Sequence, residues 1–180
     1  MKEAEDLVRS RKIRPISYQD LHKALTAEGE GNAYTMLDVR PEWEHAKAHS
    51  PSSLHVPLFV EHDGKDIGTL IAKGFALGYG GLWMGLRHTK VNEQFLNEVK
   101  KQAPKEQRLL VSCGDGLRSL LAAEVLYNAG YRNVAWLEGG FRFVEQKDLP
   151  DLVGDTKIKY ASAGGLAGVL LDTVEKFKPS

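Results

Sequence analysis

The chain has 180 residues, with 24 Lys plus Arg against 24 Asp plus Glu, so its formal net charge is zero with neutral histidines. That length suits one domain with appended segments, and 42% hydrophobic residues supply a core and exclude wholesale disorder. The even charge leaves no basic stripe for nucleic acid, and a single cysteine excludes an internal disulfide framework or a Cys-rich zinc or iron–sulfur site.

In chain order, residues 1–12 (MKEAEDLVRSRK) form a charged N-terminal arm, either a surface helix or a loose segment. Ile13 to Ile16 is a short strand candidate. Ser17 suits the N-cap of a helix that keeps apolar spacing through Leu21, Ala24 and Leu25 to about Glu28, with Gly29 and Gly31 ending it. Tyr34 to Val39 is short and apolar, as a buried parallel strand is. Pro41 suits the first position of a short helix to about Ala48. Leu54 to Leu58 is the next strand, and Leu109 to Cys113 a further one. Arg118 to Ala129 has clean helical spacing, with Gly130 placed for a left-handed C-cap. Val134 to Leu137 is the last strand, and Gly139 and Gly140 lead into a final helix. Short strands alternating with helices predict an α/β fold: a parallel sheet with helices on both faces.

Two stretches stand apart. Residues 59–89 are glycine-rich and apolar, and from Gly68 to Leu86 Lys73 is the only charge. Residues 150–180 form a C-terminal tail whose apolar run, Ala161 to Leu171, is too short to span a bilayer as a helix. No run of about 18 uncharged apolar residues occurs elsewhere, and no signal peptide or transit leader is visible. The expectation is a soluble cytoplasmic protein, or a mature form whose targeting segment has been removed.

The chemistry concentrates at one point. Cys113 ends a predicted buried strand, and C-G-D-G-L-R-S leads from it directly into a helix. The carboxyl end of a parallel strand is where α/β folds place ligands. Backbone N–H groups of a glycine-containing turn and the positive end of the next helix make an anion cradle. A sulfur in such a cradle is favoured as thiolate, and Arg118 adds a fixed positive charge. These features describe an activated sulfur nucleophile facing an anionic substrate. The competing reading is a buried core thiol.

A second segment, LDVRPEWEHAKAHSPSSLHVPL (Leu37 to Leu58), resembles the rhodanese (sulfurtransferase) family, with its L-D-V-R, acidic helix, G-H-I-P-G-A and I-P pattern. Asp38, Val39, Arg40, Glu44, His49, Pro51 and Pro57 fall on that pattern in register. Cys113, Gly116, Arg118 and Ser119 fall on the family's C-x-x-G-x-R-S loop, and Ala129 to Phe141 resembles its closing strand and G-G turn. The resemblance covers about residues 13–149 and implies a central five-stranded parallel sheet between helices. It also implies that Cys113 is the nucleophile and that Gly114, Asp115, Gly116, Leu117 and Arg118 form the cradle. Loop length separates two related chemistries. Six residues from Cys113 to Arg118 match sulfurtransferases, whereas related cell-cycle phosphatases have one more. The implied cycle is double displacement, in which Cys113 takes a sulfur from a small donor such as thiosulfate and a thiol or cyanide removes it. No cofactor is implied.

Departures from the pattern matter. G-H-I-P-G-A stands here as Ala48-His49-Ser50-Pro51-Ser52-Ser53. Asp115 puts a carboxylate at the mouth, opposing a doubly negative donor by roughly 1 kcal/mol at a few ångströms in water. A less charged donor or a protein persulfide then becomes attractive. Asp38 and Arg40 read as a structural pair at a strand end, and His49 as a hydrogen-bonding turn residue. His45 and His49 have a helical metal-ligand spacing but no third ligand, so no metal site is expected. The run Gly68 to Leu86, with Phe75, Tyr79, Trp83 and Met84, is either a domain-covering loop or a surface for a membrane or partner. Residues 161–171 offer a similar contact. Such a surface supports a second functional class, a non-catalytic scaffold recruited through residues 59–89. Gly78 to Gly85 (GYGGLWMG), the N-A-G-Y-R-N-V-A-W-L-E-G-G-F block and the A-S-A-G-G-L tail also resemble the plastid rhodanese-like proteins of plants and green algae. That kinship implies a chloroplast location. In those proteins a hydrophobic tail segment suits thylakoid attachment, whereas this chain turns polar at Asp172 to Lys176.

Overall fold

The computed structural model describes residues 1–27, 32–62, 64, 70, 71, 74, 87–149 and 151–176. Five strands form the central sheet: β1 (Arg14–Ile16), β2 (Thr35–Asp38), β4 (Leu54–His55), β7 (Leu109–Ser112) and β8 (Val134–Leu137). Their order is β1-β8-β7-β2-β4, and every neighbouring pair is parallel. The central strand β7 has all four residues buried, as a strand covered on both faces requires.

Alternation along the strands sorts the core into two layers. Leu37, Val39, Leu109, Val111 and Val134 point to one face. There they meet α1 (Lys2–Arg9) through Leu7, α4 (Phe95–Gln102) through Phe95 and Val99, and α5 (Leu117–Asn128) through Ala122, Ala123 and Leu126. Met36, Leu110, Ala135 and Leu137 point to the other face, under Leu21 of α2 (Leu21–Thr26), Phe141 and Val144. A one-residue slip would exchange the two sets, so the apolar pattern fixes the register.

Several elements differ from the sequence expectation. The N-terminal arm is a helix whose Ala4 and Leu7 are buried, with charged residues on its outer side. Ser17 does not cap a helix backbone: its hydroxyl donates to the Asp20 carboxylate, and a single 3-10 turn (Tyr18–Asp20) precedes α2. The expected end of that helix at Glu28 lies outside the described residues. The helix expected from Pro41 to Ala48 is only α3 (Glu42–His45), with Pro41 at its N-cap. Ala48 and His49 instead form β3, antiparallel to β9 (Val153–Gly154) of the tail. Loss of the family's glycine at position 48 therefore accompanies a strand there. Gly139 and Gly140 open one 3-10 turn (Gly140–Phe143) rather than a long helix. The long C-terminal helix is α6 (Gly165–Lys176).

Residues 59–89 begin and end as an antiparallel ribbon of β5 (Phe59–Glu61) and β6 (Thr89–Val91). Phe75, Tyr79, Trp83 and Met84 lie outside the described residues. The tail is fastened to the domain. Asp151 accepts from the Ser50 and Ser52 hydroxyls at 2.6 Å each, and Lys47 Nζ donates to the Ala163 carbonyl at 2.7 Å. Ile158 and Ala161 are buried in the second core layer. Among the described residues no helix is long and apolar enough to cross a membrane.

Candidate active site

Strand β7 ends at Ser112, so Cys113 is the first residue beyond the carboxyl edge of the central strand. Its side chain is fully buried. The Gly116 and Ser119 backbone N–H groups donate to Sγ at 3.1 and 3.3 Å. Both belong to the first turn of α5 or its N-cap, whose unpaired N–H groups carry the positive end of the helix dipole. Ser119 was not among the cradle residues expected from sequence. Leu117 departs from that expectation, because its N–H is taken by Asp115 Oδ1 at 3.1 Å rather than by the sulfur. The same Asp115 oxygen accepts from the Cys113 thiol at 3.6 Å.

The loop keeps its shape through partners outside it. The Trp136 indole N–H donates to the Gly116 carbonyl at 2.8 Å, and the Ser119 hydroxyl donates to the same oxygen at 3.0 Å. The Phe141 N–H donates to the Cys113 carbonyl at 2.8 Å. Gly140 sits under the loop at φ +59, where an added Cβ would stand 2.3 Å from the Cys113 carbonyl oxygen. The W-L-E-G-G-F block thus supports the cradle from behind, a role that spacing alone did not reveal.

Arg118 does not project a free charge toward the sulfur. Its Nη1 and Nη2 donate to Glu44 Oε1 and Oε2 at 2.7 and 2.8 Å. Burial works against the guanidinium charge, and the hydrogen bonds and charge of Glu44 outweigh it, holding Arg118 protonated above its ordinary range. Glu44 also accepts a short hydrogen bond from the Ser162 hydroxyl. Ser162 belongs to the tail and lies directly on Gly114, where an added Cβ would come within 2.1 Å of its hydroxyl. Sequence marked Glu44 as a pattern residue but gave no reason to expect Ser162, which lies 118 positions further along.

Asp38 and Arg40 form the buried pair expected of them. Arg40 Nε donates to both carboxylate oxygens at 3.0 Å, Nη2 donates to Oδ2 at 2.6 Å, and Nη2 also reaches the Ala48 carbonyl at 2.7 Å. Burial alone would push the Asp38 carboxyl up. Hydrogen bonds from His45 and Arg40, with the Arg40 charge, overcome it and hold it far below the usual carboxylate range. The Arg40 guanidinium lies 4.6 Å over the Phe141 ring, which links this pair to the floor of the cradle. His49 Nδ1 donates to the His45 carbonyl at 3.0 Å, a turn role as expected. His45 stacks on His49 and on His55 at centroid distances of 4.2 and 3.7 Å, so the rings lie face to face rather than converging on a point. Among the described residues no cluster of three or more His, Cys, Asp or Glu is arranged to hold a metal ion.

The parallel sheet and the strand–loop–helix thiol site define a class that known proteins share. A model of the rhodanese-like domain matches residues 18–147, and the chain belongs to the rhodanese-like domain family, a sulfurtransferase-family scaffold. It is 42% identical over 168 residues to rhodanese-like domain-containing protein 10 of Arabidopsis thaliana, covering 93% of this chain and 77% of that protein. With the same plant's rhodanese-like domain-containing protein 9, chloroplastic, it shares 39% identity over 154 residues, 86% of this chain and 64% of that one. With its protein 11, chloroplastic, identity is 36% over 166 residues, 92% and 55% of the two chains. The chain therefore spans between 55% and 77% of the length of these three relatives. The solution structure of the rhodanese-like domain from an Anabaena protein shares the fold, at a TM-score of 0.50 and 16% identity over 78% of each chain.

Proposed function

We propose that this protein is a sulfurtransferase that carries a sulfane sulfur on Cys113. The observation that supports it most is a lone buried sulfur accepting two backbone N–H groups at the start of α5. Two N–H donors aimed at Sγ stabilise negative charge that develops on the sulfur during transfer. In the first half-reaction the Cys113 thiol gives up its proton to solvent. The thiolate attacks the outer sulfur of the donor. A new S–S bond forms at Cys113, the donor's bond to that sulfur breaks, and the carrier leaves with the electron pair. The terminal sulfur of the persulfide is then attacked by a thiolate or cyanide, and Cys113 leaves as thiolate. Cys113 is the nucleophile. Gly114, Asp115, Gly116, Leu117 and Arg118, with the Ser119 N–H, shape the cradle. The donor is thiosulfate, 3-mercaptopyruvate or a persulfide. The reaction is assigned to the plastid, because two of the relatives are named as chloroplastic.

The test is intact mass after incubating the reduced protein separately with each donor. Gain of one sulfur atom, reversed by cyanide and absent in Cys113→Ser, is the expected result. An unchanged mass with every donor would overturn the assignment.

A further inference from the structure

Cys113 has no exposed surface, so its thiol meets a reagent only after part of its surroundings moves. Much of what holds the loop belongs to the central sheet. Trp136 is on β8, and Gly139 and Gly140, directly after that strand, stand against Gly116 and the Cys113 carbonyl. The tail reaches the loop differently, from beyond residues 18–147 of the rhodanese-like match. A Cβ added to Gly114 would run into the Ser162 hydroxyl and the Ser162 Cβ before any other atom. Ser162 therefore rests on the residue next to Cys113.

The tail is held in two ways. Up to Ala161 it is anchored in the domain: β9 pairs with β3, Asp151 accepts from the Ser50 and Ser52 hydroxyls, and Ile158 and Ala161 are buried in the second core layer. Beyond Ala161 the hold is lighter. The Ser162 hydroxyl donates to Glu44, and Lys47 Nζ donates to the Ala163 carbonyl at 2.7 Å. Gly165, at φ +55, then turns the chain into α6. Ser162 and Ala163 can leave the loop by giving up these two side-chain hydrogen bonds while Ile158 and Ala161 keep their places. Such a release is local, far smaller than unfolding of the domain.

We propose that Ser162 and Ala163 form a latch that holds the Cys113 loop closed, and that the thiol reacts from the released state. Lys47 fastens the latch from the domain side. The latch governs access to the thiol, so it stands independently of what chemistry Cys113 performs.

The experiment follows the addition of iodoacetamide, a small neutral alkylating reagent, to the reduced full chain by intact mass. With a single cysteine in the chain, thiol alkylation reports on Cys113 alone. Ser162→Ala removes the hydroxyl that rests on Gly114 and bonds Glu44, and Lys47→Met removes the ammonium while keeping an unbranched side chain. Each should speed alkylation by roughly threefold to tenfold, the equilibrium weight of one hydrogen bond, and the double variant by more than either. Losing the Lys47 charge disfavours a thiolate, so electrostatics alone would slow Lys47→Met. Release of the latch exposes little surface, so the faster rates should depend weakly on urea below the unfolding transition. Rates unchanged in both variants would overturn the proposal. An acceleration that climbs with urea as steeply as global unfolding would also overturn it, because opening of the whole domain would then be what exposes the thiol.

Discussion

The indole of Trp136, on β8, donates to the carbonyl of Gly116, the residue whose own N–H donates to Cys113 Sγ. One residue thus joins a neighbouring strand to the sulfur. Trp136→Phe keeps the ring in place and removes that donor. The Gly116 carbonyl still accepts from Ser119, so the expected loss is about 1 kcal/mol of stability, the net value of one hydrogen bond. Urea unfolding checks it. Sulfur loading of Cys113 should slow as well, since the Gly116 N–H loses one constraint on its aim. A variant that loads at the parent rate would show that the indole serves packing alone.

Gly140→Ala tests the floor of the cradle. A Cβ there meets the Cys113 carbonyl at 2.3 Å and the Gly116 nitrogen at 2.6 Å, all backbone that has no side-chain freedom to yield. The positive φ adds roughly 1–2 kcal/mol for any residue with a Cβ. The expectation is a lowered Tm together with loss of sulfur loading. Gly74→Ala, where an added Cβ meets nothing within 4 Å, is the control and should preserve both.

Asp38 predicts how stability depends on pH. In the unfolded chain this carboxyl takes up its proton near pH 4, whereas in the folded protein it stays ionised far below that. The unfolded state therefore binds the extra proton first as pH falls. The stabilisation is complete above the ordinary carboxylate range and is lost progressively beneath it. Tm measured from pH 7 downward should drop most steeply below about pH 4. Asp38→Asn should flatten that portion of the curve. It should also cost about 3–5 kcal/mol at neutral pH, because Arg40 would remain buried without its partner.

Much of the fold was legible because strong local patterns agreed with the tertiary layers. Leu109 to Ser112 is buried on both faces and lies in the sheet centre. Arg118 to Ala129 was expected as a helix, and α5 covers nearly the same residues. The cysteine, its loop and the following helix were placed by one short motif. What escaped reading was long-range or carried by weak local signals. Ala48 and His49 follow a helix and carry no β-branched residue, and they become a strand only because Val153 and Gly154 pair with them. Ser162 looks like any loop serine until the tail lays it on Gly114. Arg118 was expected as a free positive charge because Glu44 lies 74 positions away, on an element whose orientation the sequence does not reveal.

The order of the sheet also sets a timetable for synthesis. Arg14 of β1 finds its partner in Ala135 of β8, and β2 meets its central neighbour only when Leu109 to Ser112 has been made. On the ribosome the first strand therefore waits, unpaired, while most of the polypeptide is still to emerge. The β2–β4 contact can close early, but β1 stays open until the last strand of the central sheet arrives. A nascent chain halted before Val134 carries the Cys113 loop without the Trp136 and Gly140 that shape it. The Cys113 loop thereby takes its final shape only when most of the domain has been made, and the first strand waits unpaired through that interval.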